Sequence, residues 1–440
     1  MNKYHTAVIG AGPAGYMAAL KLAGSGKPVC LIDKGKEYLG GTCLNRGCIP
    51  TKSILESANL YKKIKTAKDF GIDVNTAKPN LETILEKADK NIALLKKGLL
   101  SLFQAKKIDL KFGKASFLSQ KKILVQGKEQ AKEIEAEIFI LAAGSKPKSL
   151  PGFEIDNKKI FNSDGLFKKL PQAKNLLIIG GGYIGCELAQ FYNSLGYQVT
   201  ITDIADSLLP GQDKDLVKVL EREFFKKGVK IVTGHKAAPA DLEKFDAAVV
   251  AVGREPNLDN LNLEKVGIGL EKGFVKVDKN FKTTVDNIYA LGDVINTPML
   301  AHLAYKEAEA VADFIGEGAK KKINYNLVPE VIFTEPQIAS FGLKELQAEK
   351  EKIDIEVNKS LFRANAKARI LGQVAGFSKL VFAKKDKRLL GASIIGPEAT
   401  ELIHTLLAFA KSGATKSEIE ESIYAHPTLS EIFSPLFARS

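Results

Sequence analysis

At 440 residues the chain is long enough for about three domains, and its 45% hydrophobic and 26% charged residues are typical of a globular protein. No apolar run approaches the roughly 18 residues of a membrane span, and the first six residues leave no room for a targeting peptide, so we expect a cytoplasmic protein. The net charge of +13 does not predict a nucleic-acid or membrane partner, because the lysines alternate with acids along amphipathic helices.

A glycine-rich turn follows the first predicted strand. Tyr4 to Ile9 form that strand, and the sequence GAGPAG from Gly10 to Gly15 leads into a helix over Tyr16 to Ala23. A second strand, Val29 to Ile32, ends at Asp33. Glycines at these positions let the backbone approach a pyrophosphate, the helix start favours phosphate, and the acid can accept hydrogen bonds from a ribose. The pattern predicts a dinucleotide-binding domain.

Two cysteines, Cys43 and Cys48, follow a Gly-Gly-Thr turn and precede a helical run over Ser53 to Ile64. The first turn of a distorted helix can bring their sulfurs together, and the amides there, with Lys52, favour a thiolate. We interpret the pair as a redox-active dithiol. A structural disulfide is disfavoured in a chain with four cysteines and no secretory signal, and zinc needs further ligands. Two ordinary buried thiols remain an open alternative.

The middle of the first domain is predicted to hold two lysine-rich helices around a turn at Gly71 to Pro79. Strands follow near Asp109 to Phe112, Lys122 to Val125 and Glu137 to Leu141. The last of these strands is buried and meets a tight turn at Ala142 to Ser145.

The dinucleotide pattern then recurs. A strand over Asn175 to Ile179, the turn GGGYIG, a helix over Cys186 to Leu195 and a strand over Gln198 to Thr202 are followed by Asp203. Two complete fingerprints in one chain imply two dinucleotides. Because Asp203 repels a 2′-phosphate and no arginine occurs in Ile204 to Gly211, the second site is predicted to bind NAD rather than NADP.

The C-terminal part, from Val328, has strands and helices without glycine turns, including a helix over Ala399 to Ser412. Among the five histidines, His426 is the best candidate for an acid–base group, because Pro427 fixes its backbone and Glu431 follows. On local grounds an ordinary surface or core histidine remains open.

The whole chain resembles the flavin-dependent disulfide reductases, and among them the dihydrolipoamide dehydrogenase family. The resemblance is carried, in order, by GAGPAG, GGTCLNRGCIPTK, AAGS, GGGYIGCELA, VGREPN, YALGDV, MLAHLAYKEAEA, VIFTEPQIASFG and AHPTLSE. It implies an α/β fold with two Rossmann-like dinucleotide-binding domains, for FAD and NAD, and a C-terminal α+β dimerisation domain. The implied limits are 1–146 for the FAD domain, 147–272 for the NAD domain, 273–326 for a segment that completes the FAD domain, and 327–440 for the dimerisation domain.

The same resemblance implies catalytic roles. Cys43 exchanges with substrate, and Cys48 faces the flavin as a charge-transfer thiolate. Lys52 lies beside the flavin and pairs with Glu187. His426, oriented by Glu431 and preceding a cis proline, is the acid–base group.

The residues expected at the two cofactors form a larger set, drawn from both glycine turns and from the turns after later strands. They are Gly10, Gly12, Pro13, Ala14, Gly15, Asp33, Lys34, Gly41, Thr42, Lys52, Ala143, Gly144, Gly180, Gly182, Tyr183, Ile184, Gly185, Asp203, Gly253, Arg254, Gly292, Asp293, Met299, Leu300, Ala301 and His302. No metal site is expected.

The predicted function is oxidation of dihydrolipoyl groups on a carrier protein, with reduction of NAD, by a homodimer serving a 2-oxoacid dehydrogenase or glycine cleavage complex. Tyr183 resembles the movable tyrosine over the nicotinamide pocket of glutathione-type relatives, so an NAD(P)H-dependent reductase of another disulfide is the enzymatic alternative. A flavoprotein that binds nucleic acid or membrane through its basic surface is the non-enzymatic one. The segment from His235 to Asp246 is shorter than the family's usual β-meander, which predicts a trimmed NAD domain.

Overall fold

Three large β-sheets organise the chain in the computed structural model, which describes residues 2–434 and 438–439. The first region contains β1 (Asn2–Ile9), α1 (Pro13–Ala23), β2 (Val29–Asp33), α2 (Gly41–Arg46), α3 (Cys48–Lys65), α4 (Leu81–Ala105), β3 (Asp109–Phe112), β4 (Lys114–Ser119), β5 (Lys122–Gln126), β6 (Ala131–Leu141) and β7 (Ser145–Pro147).

The second region contains β8 (Ile160–Asn162), α5 (Ser163–Leu166), β9 (Asn175–Ile179), α6 (Tyr183–Ser194), β10 (Gln198–Thr202), α7 (Lys214–Lys226), β11 (Lys230–Val232) and β12 (Ala247–Val250). The chain then returns to the first region, where β13 (Arg254–Pro256) pairs with β7 and α8 (Leu263–Val266) packs in the apolar core of the first sheet. β14 (Leu270–Glu271), β15 (Phe274–Val275), β16 (Ile288–Ala290) and α9 (Ala301–Glu317) follow.

The third region contains β17 (Glu330–Ile332), β18 (Gln337–Gly342), α10 (Glu345–Glu351), β19 (Ile355–Leu361), α11 (Ala366–Ile370), β20 (Phe377–Ala383), β21 (Leu389–Gly396), α12 (Ala399–Ser412), α13 (Lys416–Glu420) and β22 (Ala438–Arg439). Short 3-10 helices connect these elements at Lys36–Tyr38, Ala67–Phe70, Pro239–Lys244, Gly292–Val294, Tyr325–Leu327, Phe362–Ala364 and Leu429–Phe433.

The first sheet has the order β3-β2-β1-β6-β5-β4. β3, β2, β1 and β6 run parallel, and β16 adds a further parallel strand beside the end of β6. The first half of β6 pairs antiparallel with β5, so one edge of this long strand serves two different partners. Residues 7–9 of β1, 29–32 of β2 and 139–141 of β6 are apolar and buried, as a helix-covered sheet requires, whereas the edge strand β3 is partly exposed and carries Asp109 and Lys111.

The second sheet is smaller and wholly parallel, with the order β11-β10-β9-β12-β8. In the segment between β11 and β12, whose shortness predicts a trimmed NAD domain, the described residues form a 3-10 helix and no strand. Phe153, Leu242 and Phe245 pack on the face of the sheet on that side. A few apolar side chains therefore cover the sheet on the side of this short segment.

The third sheet is antiparallel, with the order β17-β18-β21-β20-β19-β22, and α12 packs on it. A shared apolar cluster joins the three regions, because Ile54 and Leu55 of α3 lie with Leu188 of α6 and with Ile332 and Ile338 of the third sheet. Burying each such side chain contributes about 1.5–3 kcal/mol. This cluster fixes α3, which carries Cys48, against α6, which follows the second glycine turn.

Candidate active site

The first glycine turn leaves room for a phosphate at the end of β1. Gly10 has φ +104°, and a Cβ there would lie 2.2 Å from the carbonyl oxygen of Ala142. A Cβ at Gly15 would lie 1.8 Å from the carbonyl oxygen of Gly10, so α1 packs directly on the strand. At Gly12 the nearest atom to such a Cβ is 3.7 Å away, in Gly41. The turn thus packs tightly at two glycines and stays open at the third, which fits a dinucleotide pyrophosphate.

Asp33, at the end of β2, fixes the loops around this turn. Its carboxylate accepts hydrogen bonds from the backbone N–H of Ala11 at 2.8 Å and of Lys34 at 2.7 Å. Burial raises the pKa of Asp33, and these two hydrogen bonds oppose that shift. The acid predicted to bind a ribose therefore also holds the glycine turn in place.

A second polar group gathers at the carboxyl ends of β6 and β16. The hydroxyl of Ser145 donates to Asp293 at 2.5 Å and accepts from Nε of Arg254 at 2.7 Å. Gly292 donates its N–H to Glu307, whose burial raises its pKa to about 7. The structure thus brings Arg254 and Asp293 together. The sequence prediction missed Ser145 and Glu307, although Ser145 ends the turn that follows a buried strand.

The two cysteines lie on consecutive helices. Cys43 is in α2 and Cys48 is the first residue of α3, so the second cysteine lies at a helix N-terminus. A hydrogen bond from the Cys43 thiol lowers the pKa of Cys48 to about 7, and the Lys52 ammonium adds to the shift. The same hydrogen bond, together with burial, raises the pKa of Cys43. Cys48 is thus the stable thiolate, and Cys43 keeps its proton.

Lys52 connects this dithiol to the second glycine turn. Its ammonium lies 2.7 Å from Glu187 of α6 and 4.6 Å from the centre of the Phe333 ring. Glu187 is 4% exposed, and its other oxygen accepts the N–H of Phe333 at 3.0 Å. The ion pair predicted from the resemblance is present, and its partners come from all three regions of the chain.

The second glycine turn repeats the first. Gly180 has φ +114°, and a Cβ at Gly185 would lie 1.8 Å from the carbonyl oxygen of Gly180. No heavy atom lies within 4 Å of a Cβ at Gly182, so this turn also leaves room for a phosphate. Asp203 accepts the N–H of Gly181 at 2.6 Å and of Ala205 at 2.8 Å. The geometry fits a second dinucleotide.

His426 lies at the other end of the chain, with its side chain 72% exposed. Its Nδ1 is 2.9 Å from Glu431, and the pKa of Glu431 is lowered by this contact and by the N–H of Thr428. The His426–Pro427 peptide is cis, as predicted. The glutamate therefore fixes the ring, and Nε2 has no hydrogen bond to any residue in the described part of the chain.

Comparison with known proteins decides the family. Residues 4–308 match the pyridine nucleotide-disulphide oxidoreductase family, and residues 328–436 match the dimerisation domain of the same proteins. The chain belongs to this family. A dihydrolipoyl dehydrogenase from Bacillus subtilis (strain 168) is 39% identical, over 97% of this chain and 96% of the relative. A second, from Geobacillus stearothermophilus, is 36% identical over 97% of this chain and 94% of the relative.

Among solved structures, the HOCl-induced flavoprotein disulfide reductase RclA from Escherichia coli, as its Cu(II) complex, superposes with a TM-score of 0.89. It is 28% identical and covers 99% of both chains. LpdA from Mycobacterium tuberculosis has a TM-score of 0.91 at 24% identity, with 99% and 98% covered, and shows the fold alone. The predictions of an α/β oxidoreductase of the dihydrolipoyl dehydrogenase type, with FAD and NAD as cofactors, are confirmed.

The last four residues predicted at the cofactors lie at the start of α9. Met299 and Leu300 precede α9, and Ala301 and His302 begin it. A ring nitrogen of His302 lies 2.8 Å from the carbonyl oxygen of Pro329, so that side chain is already engaged.

No helix in the described part of the chain is both long and apolar enough to cross a membrane.

One cluster of acidic side chains resembles a metal site but already contains a lysine. The carboxylates of Asp213, Asp215 and Glu345 lie close together. The ammonium of Lys379 lies among them, 2.7 Å from Asp215 and hydrogen-bonded to Glu345. Lys379 is 1% exposed, so the cluster is an ion-pair network around a buried ammonium that already supplies its cation.

Proposed function

We propose that the protein oxidises dihydrolipoyl groups on carrier proteins and reduces NAD, using Cys43 and Cys48 as its redox pair. The observation that carries the proposal is the placement of Cys48 at the start of α3, beside Lys52 and hydrogen-bonded to Cys43, which gives a thiolate near neutral pH. The dihydrolipoyl dehydrogenases among the relatives support the choice of substrate.

The first half of the reaction is thiol–disulfide exchange at the oxidised pair. A substrate thiolate attacks the sulfur of Cys43, the Cys43–Cys48 bond breaks, and Cys48 leaves as a thiolate. The second substrate thiolate then attacks the substrate sulfur bound to Cys43, which closes the substrate disulfide and releases Cys43. The low pKa of Cys48 makes it the better leaving group, and the raised pKa of Cys43 keeps that thiol protonated afterwards.

His426 accepts the proton from the incoming dithiol, a contribution of about 10²- to 10⁴-fold. Its exposed ring lies in the region that matches the family's dimerisation domain, so we assign it to the redox pair of the partner subunit in a homodimer. Glu431 orients the ring through its contact with Nδ1.

Bound FAD supplies the two-electron carrier between the thiols and the nicotinamide. We assign it to the first glycine turn, with Asp33, Gly41, Thr42, Ala143, Gly144 and Asp293 around it, and NAD to the second, with Asp203 at its ribose. Lys52 and Glu187 lie between the two turns. The domain limits 1–146, 147–272, 273–326 and 327–440, and a cytoplasmic location, complete the proposal.

Purified enzyme tests the thiol assignment directly. It should be yellow, oxidise free dihydrolipoamide with NAD, and develop long-wavelength absorbance on two-electron reduction, because a thiolate then faces the flavin. Cys48→Ser should abolish this absorbance and Cys43→Ser should retain it, while both lose turnover. Reversed spectra would exchange the two roles.

A heterodimer tests the shared site. In a dimer of one Cys43→Ser chain and one His426→Gln chain, one site carries both lesions and the other combines intact residues from the two chains. Activity should return to about half of wild type, although each homodimer is nearly inactive. Two affinity tags and tandem purification isolate the heterodimer. An inactive heterodimer with bound flavin would assign both residues to one chain.

A reductase of another oxidant is the second candidate, favoured by the likeness to RclA, which was solved as a Cu(II) complex. NADH-driven turnover of low-molecular-weight disulfides or Cu(II), exceeding lipoamide turnover, would establish it. Strongly salt-dependent binding to nucleic acid or vesicles without turnover would instead indicate a binding protein.

A further inference from the structure

Arg46 lies between the two redox cysteines, and its guanidinium is bound to the second region of the chain. Nη1 donates to Oδ2 of Asp164 at 3.1 Å, and the guanidinium carbon lies 5.1 Å from the centre of the Tyr38 ring. Asp164 belongs to α5, where the side chain of Asn162 accepts its N–H at 3.1 Å. An ion pair therefore joins residues 43–48, which we call the redox segment, to the start of the second region.

Helix α2 brings Arg46 to the first glycine turn. A Cβ on Gly41 would lie 2.5 Å from the Cα of Gly12, so the start of α2 covers the turn. Thr42, which we assign to the flavin site, follows Gly41, and Arg46 lies one helical turn further along α2. Residues four apart share a face of a helix, so Arg46 is on the side of α2 that carries Thr42.

The guanidinium of Arg46 has unused hydrogen-bond donors. An arginine side chain carries several N–H groups, and within the described residues this one donates a single hydrogen bond, to Asp164. Its side chain is 29% exposed, so the remaining N–H groups can reach a ligand. Arg254, in contrast, donates from both Nε and Nη2 to Ser145. Arg46 therefore keeps more donors for a bound molecule than Arg254 does.

Two pKa shifts place this guanidinium between the acids that we assign to FAD. Burial raises the pKa of Asp33, and the charge of Arg46 is among the influences that oppose this shift. Burial lowers the pKa of Arg254, the charges of Asp164 and Asp293 oppose that shift, and Arg46 adds to it. Arg46 is thus within electrostatic reach of Asp33 on one side and of the group around Asp293 on the other. The diphosphate of FAD lies between its two sugar chains, so a cation in this position faces the charged middle of the cofactor.

The second glycine turn has no equivalent cation after its acid. Residues 204–211, which follow Asp203, include neither lysine nor arginine. The carboxylate of Asp203 accepts only backbone N–H groups in the part of the chain that the structure describes. A cation tied to another region favours a ligand that stays bound, which is the role assigned to the flavin.

We propose that Arg46 binds the diphosphate of FAD and that Asp164 is the positioning residue that holds its guanidinium there. Arginine suits this ligand because its planar donors form paired hydrogen bonds to phosphate oxygens. The segment that carries the redox cysteines then also binds the cofactor that they reduce. This inference rests on the proposed assignment of FAD to the first glycine turn.

The test follows the release of FAD from diluted holoenzyme by flavin fluorescence, which gives the dissociation constant. Arg46→Met should weaken FAD about 10- to 100-fold, the scale of hydrogen bonds to a charged group, and Arg46→Lys should weaken it less. Asp164→Asn should weaken FAD about fivefold or less, the scale of a partly exposed ion pair. In the Arg46→Met background, Asp164→Asn should have no further effect, because Asp164 acts through Arg46.

Exchanging the two charges separates phosphate binding from a purely structural ion pair. Arg46→Asp/Asp164→Arg restores the pair but places a carboxylate beside the phosphates, so FAD should bind no better than in Arg46→Met. Wild-type affinity in the exchanged variant would show that the pair only ties two regions together, and it would overturn the proposal. Lys36→Met is the matched control, since it removes one positive charge from an exposed side chain between Asp33 and Arg46 and should leave FAD affinity unchanged.

A spectrum at saturating FAD provides the second measurement. Two-electron-reduced Arg46→Met should keep the long-wavelength absorbance, because the Cys48 thiolate is unaltered. Loss of that absorbance with unchanged FAD affinity would show that Arg46 only shapes the redox segment, and it would overturn the proposal. Wild-type affinity and absorbance in Arg46→Met would overturn it as well. If the wild-type protein bound no FAD, the proposed function itself would fail, and that result is distinct from the others.

Discussion

The two glycine turns have nearly the same backbone and different surroundings. At the first turn, the start of α2 lies directly on Gly12, because a Cβ on Gly41 would lie 2.5 Å from its Cα. A Cβ on Gly12 would lie 3.7 Å from the Cα of Gly41, whereas at the second turn no heavy atom lies within 4 Å of a Cβ on Gly182. A covered site retains its ligand through many turnovers and an open one exchanges it. The difference fits the proposed assignment of a resident flavin to the first turn and a diffusing nucleotide to the second.

A matched pair of alanine substitutions should separate the two sites most strongly. Gly12 and Gly182 both have φ −75° with extended ψ, so alanine fits the free protein at either position and its methyl fills the space for a phosphate. Gly12→Ala should weaken flavin binding by about 10²-fold or more, a cost of a few kcal/mol from overpacking. Gly182→Ala should keep the flavin and weaken NAD to a similar extent.

The ratio of flavin to protein absorbance and NAD calorimetry measure the two effects. Gly98→Ala in α4 is the control, since its surroundings are also open but lie on neither turn. Full flavin content in Gly12→Ala, or loss of flavin in Gly182→Ala, would contradict the assignment of flavin to the first turn and NAD to the second.

The acid of the second turn should set nucleotide preference at about 10²-fold for NAD over NADP, because the Asp203 carboxylate repels a 2′-phosphate. Asp203→Asn keeps an oxygen for the N–H of Gly181 and removes the charge, so the preference should fall at least about tenfold. Ratios of kcat/KM for the two nucleotides measure it. Equal kcat/KM values for NAD and NADP in the wild type would contradict the role assigned to Asp203.

The smallest expected effect concerns Lys52, which connects the two sites. Its positive charge favours the Cys48 thiolate, so Lys52→Met should raise the pKa of Cys48 above its value of about 7. A shift of about one unit leaves roughly tenfold less thiolate below that pKa. The pH dependence of Cys48 alkylation measures the shift when Cys43→Ser/Lys52→Met is compared with Cys43→Ser, so that both proteins lack the hydrogen bond from the Cys43 thiol.

Two further variants sharpen this result. Lys65 lies at the end of the same helix, where its ammonium contacts the Tyr61 ring. Lys65→Met should therefore leave the titration of Cys48 unchanged. Lys52→Met/Glu187→Gln should shift the pKa less than Lys52→Met alone, because Glu187 raises the pKa of Cys48. If Lys52→Met left the midpoint pH of Cys48 alkylation unchanged, an electrostatic role for the lysine would be excluded.

Local sequence pattern was sufficient to predict the turns and helices around the two sites. Both glycine turns occur where predicted, and α12 spans Ala399–Ser412 as the periodicity indicates. Strand β18, Gln337–Gly342, was missed, because Gln337 and Ser340 are polar and Ser340 is wholly buried, so inward and outward positions do not differ in polarity.

Contacts between distant segments could not be derived from local pattern. The Lys52–Glu187 pair followed only from the resemblance to known enzymes, since the two residues lie on helices that no spacing rule relates. The Tyr183–Glu330 and Arg254–Ser145–Asp293 contacts were not predicted at all. Such pairs depend on how the sheets pack, which no single motif encodes.

The divided edge of β6 constrains the order in which the chain can fold during synthesis. Its first half pairs with the neighbouring β5, whereas its end pairs with β16, which is translated about 140 residues after β7. At elongation rates of about 5–20 residues per second, this interval lasts on the order of ten to thirty seconds. Throughout that time the first sheet exposes an unpaired edge on the ribosome, a template for association with other nascent chains. The smaller second sheet, whose strands all lie inside this interval, can finish before the first one closes.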